Sequence, residues 1–123
     1  MAGVLAALAL LAAHAAGHHV DSGVSGLVTI GPTCPGPVRI PHDPRCRDRP
    51  YQTTLRIVRR RSHTFVKRFS SRSDGRYRVH LVPGRYLIEQ AKAARLPSLA
   101  PLAVTVRKHS FTRLTIPFDS GIR

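Results

Sequence analysis

The arginines are the residues of this sequence best suited to chemistry, because they are clustered and poorly balanced by acidic side chains. Lys and Arg total 20 against six Asp and Glu, which gives a formal net charge of +14. Guanidinium groups fork onto phosphate and carboxylate, so a cluster attracts polyanions over a long, salt-dependent range. Compositional bias toward Arg is the alternative, but it does not explain the scarcity of acids. The predicted polyanion-binding residues are Arg56, Arg59, Arg60, Arg61, Arg76 and Arg78.

The two cysteines, Cys34 and Cys46, bracket a segment rich in proline, with six prolines from Pro32 to Pro50. Such a segment cannot form a helix or a central strand. We therefore expect residues 31–50 to form a long loop that a Cys34–Cys46 disulfide ties down. A reactive thiol at Cys34 is the alternative. The spacing has no CxxC, which argues against a structural zinc site.

Two histidines near the start suggest a conditional metal site. Cleavage after Ala15 or Ala16 would leave a free amine with His18 or His19 third in the chain, a square-planar nitrogen site for Cu(II) or Ni(II). Other histidines are scattered. Ser110, His109 and Asp119 could form a triad on paper, but their spacing gives no support for one. Since Glu occurs once, paired-carboxylate chemistry is also disfavoured. We expect no cofactor and no enzymatic activity.

The N-terminal sequence is typical of an export signal. Val4 to Ala13 is an apolar run, and Ala13-His14-Ala15 supplies the small residues that a signal peptidase reads. We predict a signal peptide at 1–15, a flexible segment at 16–22 and one folded domain at 23–123. No membrane span is expected in the mature chain. The predicted location is secreted, periplasmic or in the cell envelope.

From Gly23 onward the hydrophobic period is two, which predicts strands. The predicted inward residues are Val24, Gly26, Val28 and Ile30; Tyr51, Thr53, Leu55 and Ile57; Tyr77, Val79 and Leu81; Tyr86 and Ile88; Leu102, Val104 and Val106; and Leu114, Ile116 and Phe118. Between Thr64 and Phe69 the inward face is ambiguous, with either Phe65 and Phe69 or Val66 pointing inward. Residues 92–101 contain two prolines and are predicted to form a connection between strands rather than a helix.

Turn signals separate these strands and suggest hairpins. They lie at Arg60 to His63, at Ser73-Asp74-Gly75, at Val82-Pro83-Gly84 and at Arg107 to Ser110. Seven short strands without a helical segment predict an all-β fold, a seven-stranded β-sandwich.

The run from Ser73 to Ile88 resembles the signature of the carboxypeptidase regulatory-like domain, a transthyretin-like Greek-key β-sandwich. The matching positions are Asp74, Gly75, Tyr77, Val79, Leu81, Pro83, Gly84 and Tyr86. The opening Ser22 to Thr29 is similar to the family's first strand. The resemblance covers most of residues 22–118.

This resemblance implies a fold and little activity, since in carboxypeptidases the domain accompanies the catalytic domain and does not carry the chemistry. The related sandwich that hydrolyses hydroxyisourate ends in Tyr-Arg-Gly-Ser, whereas this chain ends in Phe118-Asp119-Ser120-Gly121-Ile122-Arg123. The resemblance therefore disfavours a hydrolase.

Three functions stay open. The first is an exported, non-enzymatic binding or structural module that contacts an anionic envelope polymer or lipid headgroup, with a sheet edge that could pair with a protein partner. The second is a cytosolic nucleic-acid-binding protein, if the N-terminus is not a signal. The third is a small hydrolase, or a copper or nickel protein that uses His18 and His19.

Overall fold

A computed structural model of the protein describes residues 20–36 and 43–123. Its strands are β1 (Gly23–Gly31), β2 (Arg49–Pro50), β3 (Thr54–Arg59), β4 (Phe65–Ser70), β5 (Arg76–His80), β6 (Gly84–Gln90), β7 (Leu102–Val106) and β8 (Phe111–Asp119). The predicted signal peptide, most of the predicted flexible segment 16–22 and part of the proline-rich loop lie outside the described residues. Within them, no helix has the length and apolarity to cross a membrane.

The strands form two sheets, which confirms the all-β prediction. In sheet A, β1 is central, with β8 parallel on one side and β5 and β2 antiparallel on the other. Sheet B has the antiparallel order β4-β3-β6-β7. The predicted count of seven strands is not confirmed, since β2, a two-residue strand, makes eight.

Alternating side chains from both sheets form the shared core. Val24, Val28, Leu55, Tyr86 and Ile88 are at most 1% exposed, as the period-two pattern predicts. The structure shows which side chains of β4 point inward. A β-bulge interrupts this strand where its register with β3 shifts between Ile57 and Val58. Because the bulge breaks the alternation, Val66 and Phe69 both pack against the core while Phe65 is 52% exposed.

Most of the predicted hairpins are wrong. The turn at Arg60 to His63 does join a hairpin, because β3 pairs with β4. The turns around Gly75, Pro83 and His109 instead connect strands of different sheets. Each turn signal marks a chain reversal, as predicted, and Gly75 has the positive φ of +81° that its turn requires. A reversal does not determine which sheet the next strand joins.

Buried serines hold two of these crossings. Ser71, between β4 and β5, donates a hydrogen bond from its Oγ to the Tyr51 carbonyl (2.7 Å) and accepts one from the Thr53 amide (2.9 Å). Ser22 donates from its Oγ to the Leu81 carbonyl (2.7 Å), between β5 and β6. Both serines are at most 2% exposed. They pair backbone groups that the strand ladders leave without partners.

The predicted Cys34–Cys46 pair is confirmed at disulfide distance, with the two Cα atoms 5.1 Å apart. A short 3-10 turn at Pro44–Cys46 presents the second cysteine, and the Asp43 carboxylate caps it by accepting from the Arg45 amide. The Thr33 hydroxyl, next to Cys34, donates to the Arg47 carbonyl at 3.1 Å. The bridge thus joins the two described ends of the proline-rich loop.

Candidate anion-binding face

The outer face of sheet A brings basic side chains from two strands into one row. Ser25 of β1 is in register with Arg78 of β5 on one side and with Arg113 of β8 on the other. Residues in direct register point to the same face of a sheet. Because neighbouring strands lie about 4.8 Å apart, the Arg78 and Arg113 Cα atoms flank Ser25 at a separation of about 10 Å.

Two further arginines extend this row into a groove of about 860 Å³. Arg76 lies two residues before Arg78 on β5, and Arg72 lies in the crossing that leads to it. The hydroxyls of Ser25, Ser70 and Thr115 also line the groove. We call this surface the arginine face, and its basic residues are Arg72, Arg76, Arg78 and Arg113. Guanidinium and hydroxyl groups together present donors suited to phosphate, sulfate or carboxylate oxygens.

The Arg78 side chain lies against Phe111 at one end of this face. Its guanidinium carbon is 3.7 Å from the centre of the Phe111 ring, a close cation–π contact. The His80 ring meets the same phenyl group edge-on at 5.2 Å. Gly23 of β1 lies between His80 and Phe111 in the register. Because Gly23 has no side chain, the His80 and Phe111 rings can approach each other across β1. This contact positions the Arg78 guanidinium group, which covers one face of the Phe111 ring.

Most of the acidic side chains form ion pairs away from the arginine face. Five of the six acids each form an ion pair, as follows: Asp43 with Arg45, Glu89 with Arg56, Asp74 with Arg76, Asp21 with His109 and Asp119 with Arg123. Only the Asp74 pair reaches the arginine face, and its closest N–O distance is 3.8 Å between exposed groups. Such a pair is weak. Among the described residues, the arginine face therefore retains most of its positive charge.

A second basic group lies at the β3–β4 hairpin. Arg59, Arg60, Arg61 and Arg85 line a cavity of about 400 Å³ with Ser62. The Arg59 guanidinium carbon lies 5.4 Å from the centre of the Tyr86 ring. The Arg60 amide donates to the Arg85 carbonyl at 3.2 Å, which brings Arg85 to the hairpin.

The six predicted arginines do not form one surface. Arg56, Arg76 and Arg78 do face outward as predicted, but Arg56 lies on sheet B and the other two lie on sheet A. The outer faces of two packed sheets point in opposite directions. Arg56 is also paired with Glu89 at 3.1 Å and lies 5.6 Å from the Phe65 ring centre, so it is the least available of the six.

Sequence reasoning missed Arg72, Arg113 and Ser25 as parts of this site. Arg113 precedes Leu114 in an alternating strand, so its outward direction could be predicted. Its position opposite Arg78 could not, because it depends on the parallel pairing of β8 with β1.

The residues considered for catalysis are separated or otherwise engaged. His109 contacts Asp21, and this contact raises the pKa of His109 and lowers that of Asp21. Asp119 lies at the far end of the nine-residue strand β8, about 26 Å along the strand from Phe111. Hydrogen bonds from Arg123 and from the Gly121 amide lower the Asp119 pKa to about 2. These positions do not build the Ser110–His109–Asp119 triad.

In the described part of the chain, no group of three or more His, Cys, Asp or Glu side chains is placed so that it could hold a metal ion. The predicted copper or nickel ligands His18 and His19 lie outside the described residues.

Comparison with known proteins adds no relative, since no protein-family model and no curated protein matches this chain.

Proposed function

We propose that this protein is an exported, non-enzymatic module that binds an anionic polymer of the cell envelope on its arginine face. The observation that carries the proposal is the row in which Arg78 and Arg113 flank Ser25, continued by Arg76 and Arg72. We also propose that the fold is a Greek-key sandwich of the carboxypeptidase regulatory-like type.

The spacing of the charges favours an extended ligand with repeated anionic groups. Arg76 and Arg78 are about 6.7 Å apart along their strand, and Arg113 lies about 10 Å across the sheet. A single small anion cannot neutralise all of these groups at once. A polymer can contact them in succession, and each contact releases a counterion, which makes such binding strongly salt-dependent.

The aromatic residues beside the arginine face favour recognition through charge rather than through bases. Proteins that bind single-stranded nucleic acids combine a basic groove with exposed aromatic rings on which bases stack. Here Tyr77 is 5% exposed, and Arg78 covers a face of Phe111. This supports an anionic polymer without bases over the nucleic-acid alternative.

The Cys34–Cys46 pair supports the exported location. Disulfides persist in oxidising compartments and are rare in the cytosol. The apolar run before Ala15 points to the same compartment.

The test is the affinity for inorganic polyphosphate, measured at several salt concentrations. The variant Arg78→Gln/Arg113→Gln removes the central row, and Arg95→Gln/Arg107→Gln removes the same charge from exposed positions outside the groove. We expect about tenfold weaker binding and a shallower salt dependence for the first variant only, because it removes direct contacts.

Equal losses in both variants would contradict the proposal, since they would show that only total charge matters. Parallel measurements with a polyuronate, with vesicles of anionic lipid and with single-stranded DNA identify the ligand class. Preference for vesicles or for DNA over both polymers would contradict the polymer assignment.

A further inference from the structure

The end of the sandwich opposite the β3–β4 hairpin contains a cavity of about 470 Å³ that is separate from the arginine face. Tyr51 precedes β3, and Phe118 lies near the end of β8, so the cavity opens where residues from both sheets meet. We call it the Tyr51 cavity. Its volume lies within the range of about 300–1,000 Å³ that is typical of sites for small organic ligands.

The floor of the Tyr51 cavity is apolar and aromatic. The partly buried Tyr51 ring forms the aromatic part of this floor, and the Phe118 ring, which is 4% exposed, supports it edge-to-face with the two ring centres 5.2 Å apart. Ala91, Ala94 and Pro97 add apolar walls. Tyr51 is fixed by its backbone amide, which donates to the Val28 carbonyl at 2.9 Å. This floor suits a flat hydrocarbon or aromatic ring.

One side-chain amide holds the loop that forms the cavity wall. The Gln90 Nε2 donates to the carbonyls of Lys92 (2.8 Å) and Ala94 (3.1 Å). The Gln90 Oε1 accepts from the Leu99 amide at 2.8 Å. Since all three bonds connect the end of β6 with the following connection, the wall is formed before any ligand arrives.

Two cationic side chains line the same cavity, Arg68 from β4 and Lys92 from the wall. Neither takes part in an ion pair among the described residues. The cavity lining includes the threonines Thr53 and Thr54 but no acidic residue. An apolar floor combined with unpaired positive charge is complementary to an amphipathic anion.

From this geometry we infer that the Tyr51 cavity binds a small organic anion whose apolar ring packs on the partly exposed Tyr51 ring and against Ala91, Ala94 and Pro97. Its carboxylate or sulfonate pairs with Arg68 and Lys92. This site is independent of the proposed polymer-binding surface, because the two share no lining residue.

The experiment is calorimetric titration with naphthoate and with naphthylmethanol, its uncharged counterpart. We expect naphthoate to bind and naphthylmethanol to bind at least tenfold more weakly. Arg68→Gln/Lys92→Gln should weaken naphthoate binding about tenfold, since two partly solvated ion pairs are lost. The matched variant Arg107→Gln/Lys108→Gln removes the same charge from the β7–β8 turn and should leave naphthoate binding unchanged.

A variant that changes volume rather than charge tests the location. Ala94→Phe places a ring in the cavity opening and should abolish naphthoate binding while polyphosphate binding persists. Conversely, Arg78→Gln/Arg113→Gln should retain naphthoate binding. The inference is overturned if naphthoate does not bind, if naphthylmethanol binds equally well, or if both charge variants lose equal affinity. Naphthoate binding that Ala94→Phe leaves intact would also overturn it.

Discussion

The Tyr77 hydroxyl donates a 2.6 Å hydrogen bond to the backbone carbonyl of Leu114, although β1 lies between their two strands. The residue between them in the register is Gly26. With no side chain there, the Tyr77 ring can cross over β1 on the core side and reach β8, which covers the glycine with an aromatic ring. Burial raises the pKa of Tyr77, so the hydroxyl stays protonated and remains a donor.

Removing this hydroxyl should weaken the fold measurably. We expect Tyr77→Phe to lower the free energy of unfolding by about 1–2 kcal/mol, because the substitution leaves the Leu114 carbonyl without this partner. Chemical denaturation provides the measurement. Tyr51→Phe is the matched control, since no hydrogen bond of the Tyr51 hydroxyl occurs among the described residues, and it should cost less. Equal losses would contradict the assigned role.

A side chain at Gly26 should be far more damaging than one at Gly84. A Cβ at position 26 would lie 2.9 Å from the carbonyl carbon of Leu114 and closer still to its oxygen. Backbone atoms cannot move away without separating β1 from β8. At Gly84 the nearest atom, at 3.3 Å, is the end of the flexible Arg59 side chain. We expect Gly26→Ala to destabilise the protein by about 3 kcal/mol or more and Gly84→Ala by less than 1 kcal/mol. Similar melting temperatures for the two variants would contradict this expectation.

The core and the turns were predictable because each depends on a local pattern. Alternation identifies Val79, Ile88 and Val104 as inward residues from their immediate neighbours, and all three are buried. Gly75 follows Asp74 in a turn signal that is equally local. The Cys34–Cys46 pairing followed from the presence of just two cysteines. None of these inferences requires knowledge of which strands are neighbours.

The arginine face was not predictable because it depends on strand order. Arg78 and Arg113 are 35 positions apart in the sequence and share one row only because β5 and β8 both pair with β1. The period-two pattern is the same for parallel and antiparallel strands, and a turn does not specify a sheet. The bulge near Val66 was hidden for a related reason, since one inserted residue shifts the alternation without a distinctive residue type.

The buried Ser71 hydroxyl should contribute more to stability than its small size suggests. It pairs the Tyr51 carbonyl and the Thr53 amide at the crossing from sheet B to sheet A. We expect Ser71→Ala to lower the free energy of unfolding by about 1–3 kcal/mol, because two partly buried backbone groups lose their partner. Ser73→Ala is the control, since Ser73 is exposed two residues later. Comparable unfolding midpoints for the two variants would show that the hydroxyl has no anchoring role.

Loss of the disulfide should lower stability without abolishing the sandwich. The bridge spans 12 positions and lies in a loop outside both sheets. We expect Cys34→Ser/Cys46→Ser to lower the free energy of unfolding by about 3 kcal/mol, mainly because the unfolded chain gains freedom. Denaturant unfolding measures the loss, and the far-ultraviolet circular dichroism of the folded variant should match that of the native protein. A variant whose far-ultraviolet circular dichroism lacks the β-sheet signal would show that the bridged loop is required for folding.

The contact between Asp21 and His109 should make the start of β1 sensitive to pH. The contact raises the pKa of His109 above its ordinary 6.5, through the hydrogen bond first and the charge of Asp21 second. Its stabilising contribution is therefore complete below pH 6.5 and is lost as the pH rises through the folded-state value. The pKa of Asp21 is lowered from 3.8, so its contribution is complete above pH 3.8 and is lost as the pH falls through its own folded-state value.

The His109–Asp21 pair is thus strongest between about pH 4 and pH 6.5, from these two shifts. We expect Asp21→Asn to lower the His109 pKa toward its ordinary value in a titration followed by nuclear magnetic resonance. Asp74→Asn removes a carboxylate that pairs with Arg76 instead, and it should leave the His109 pKa unchanged. Because both members of the pair are exposed, salt should weaken the effect. A His109 pKa that does not respond to Asp21→Asn would show that the two side chains do not interact in solution.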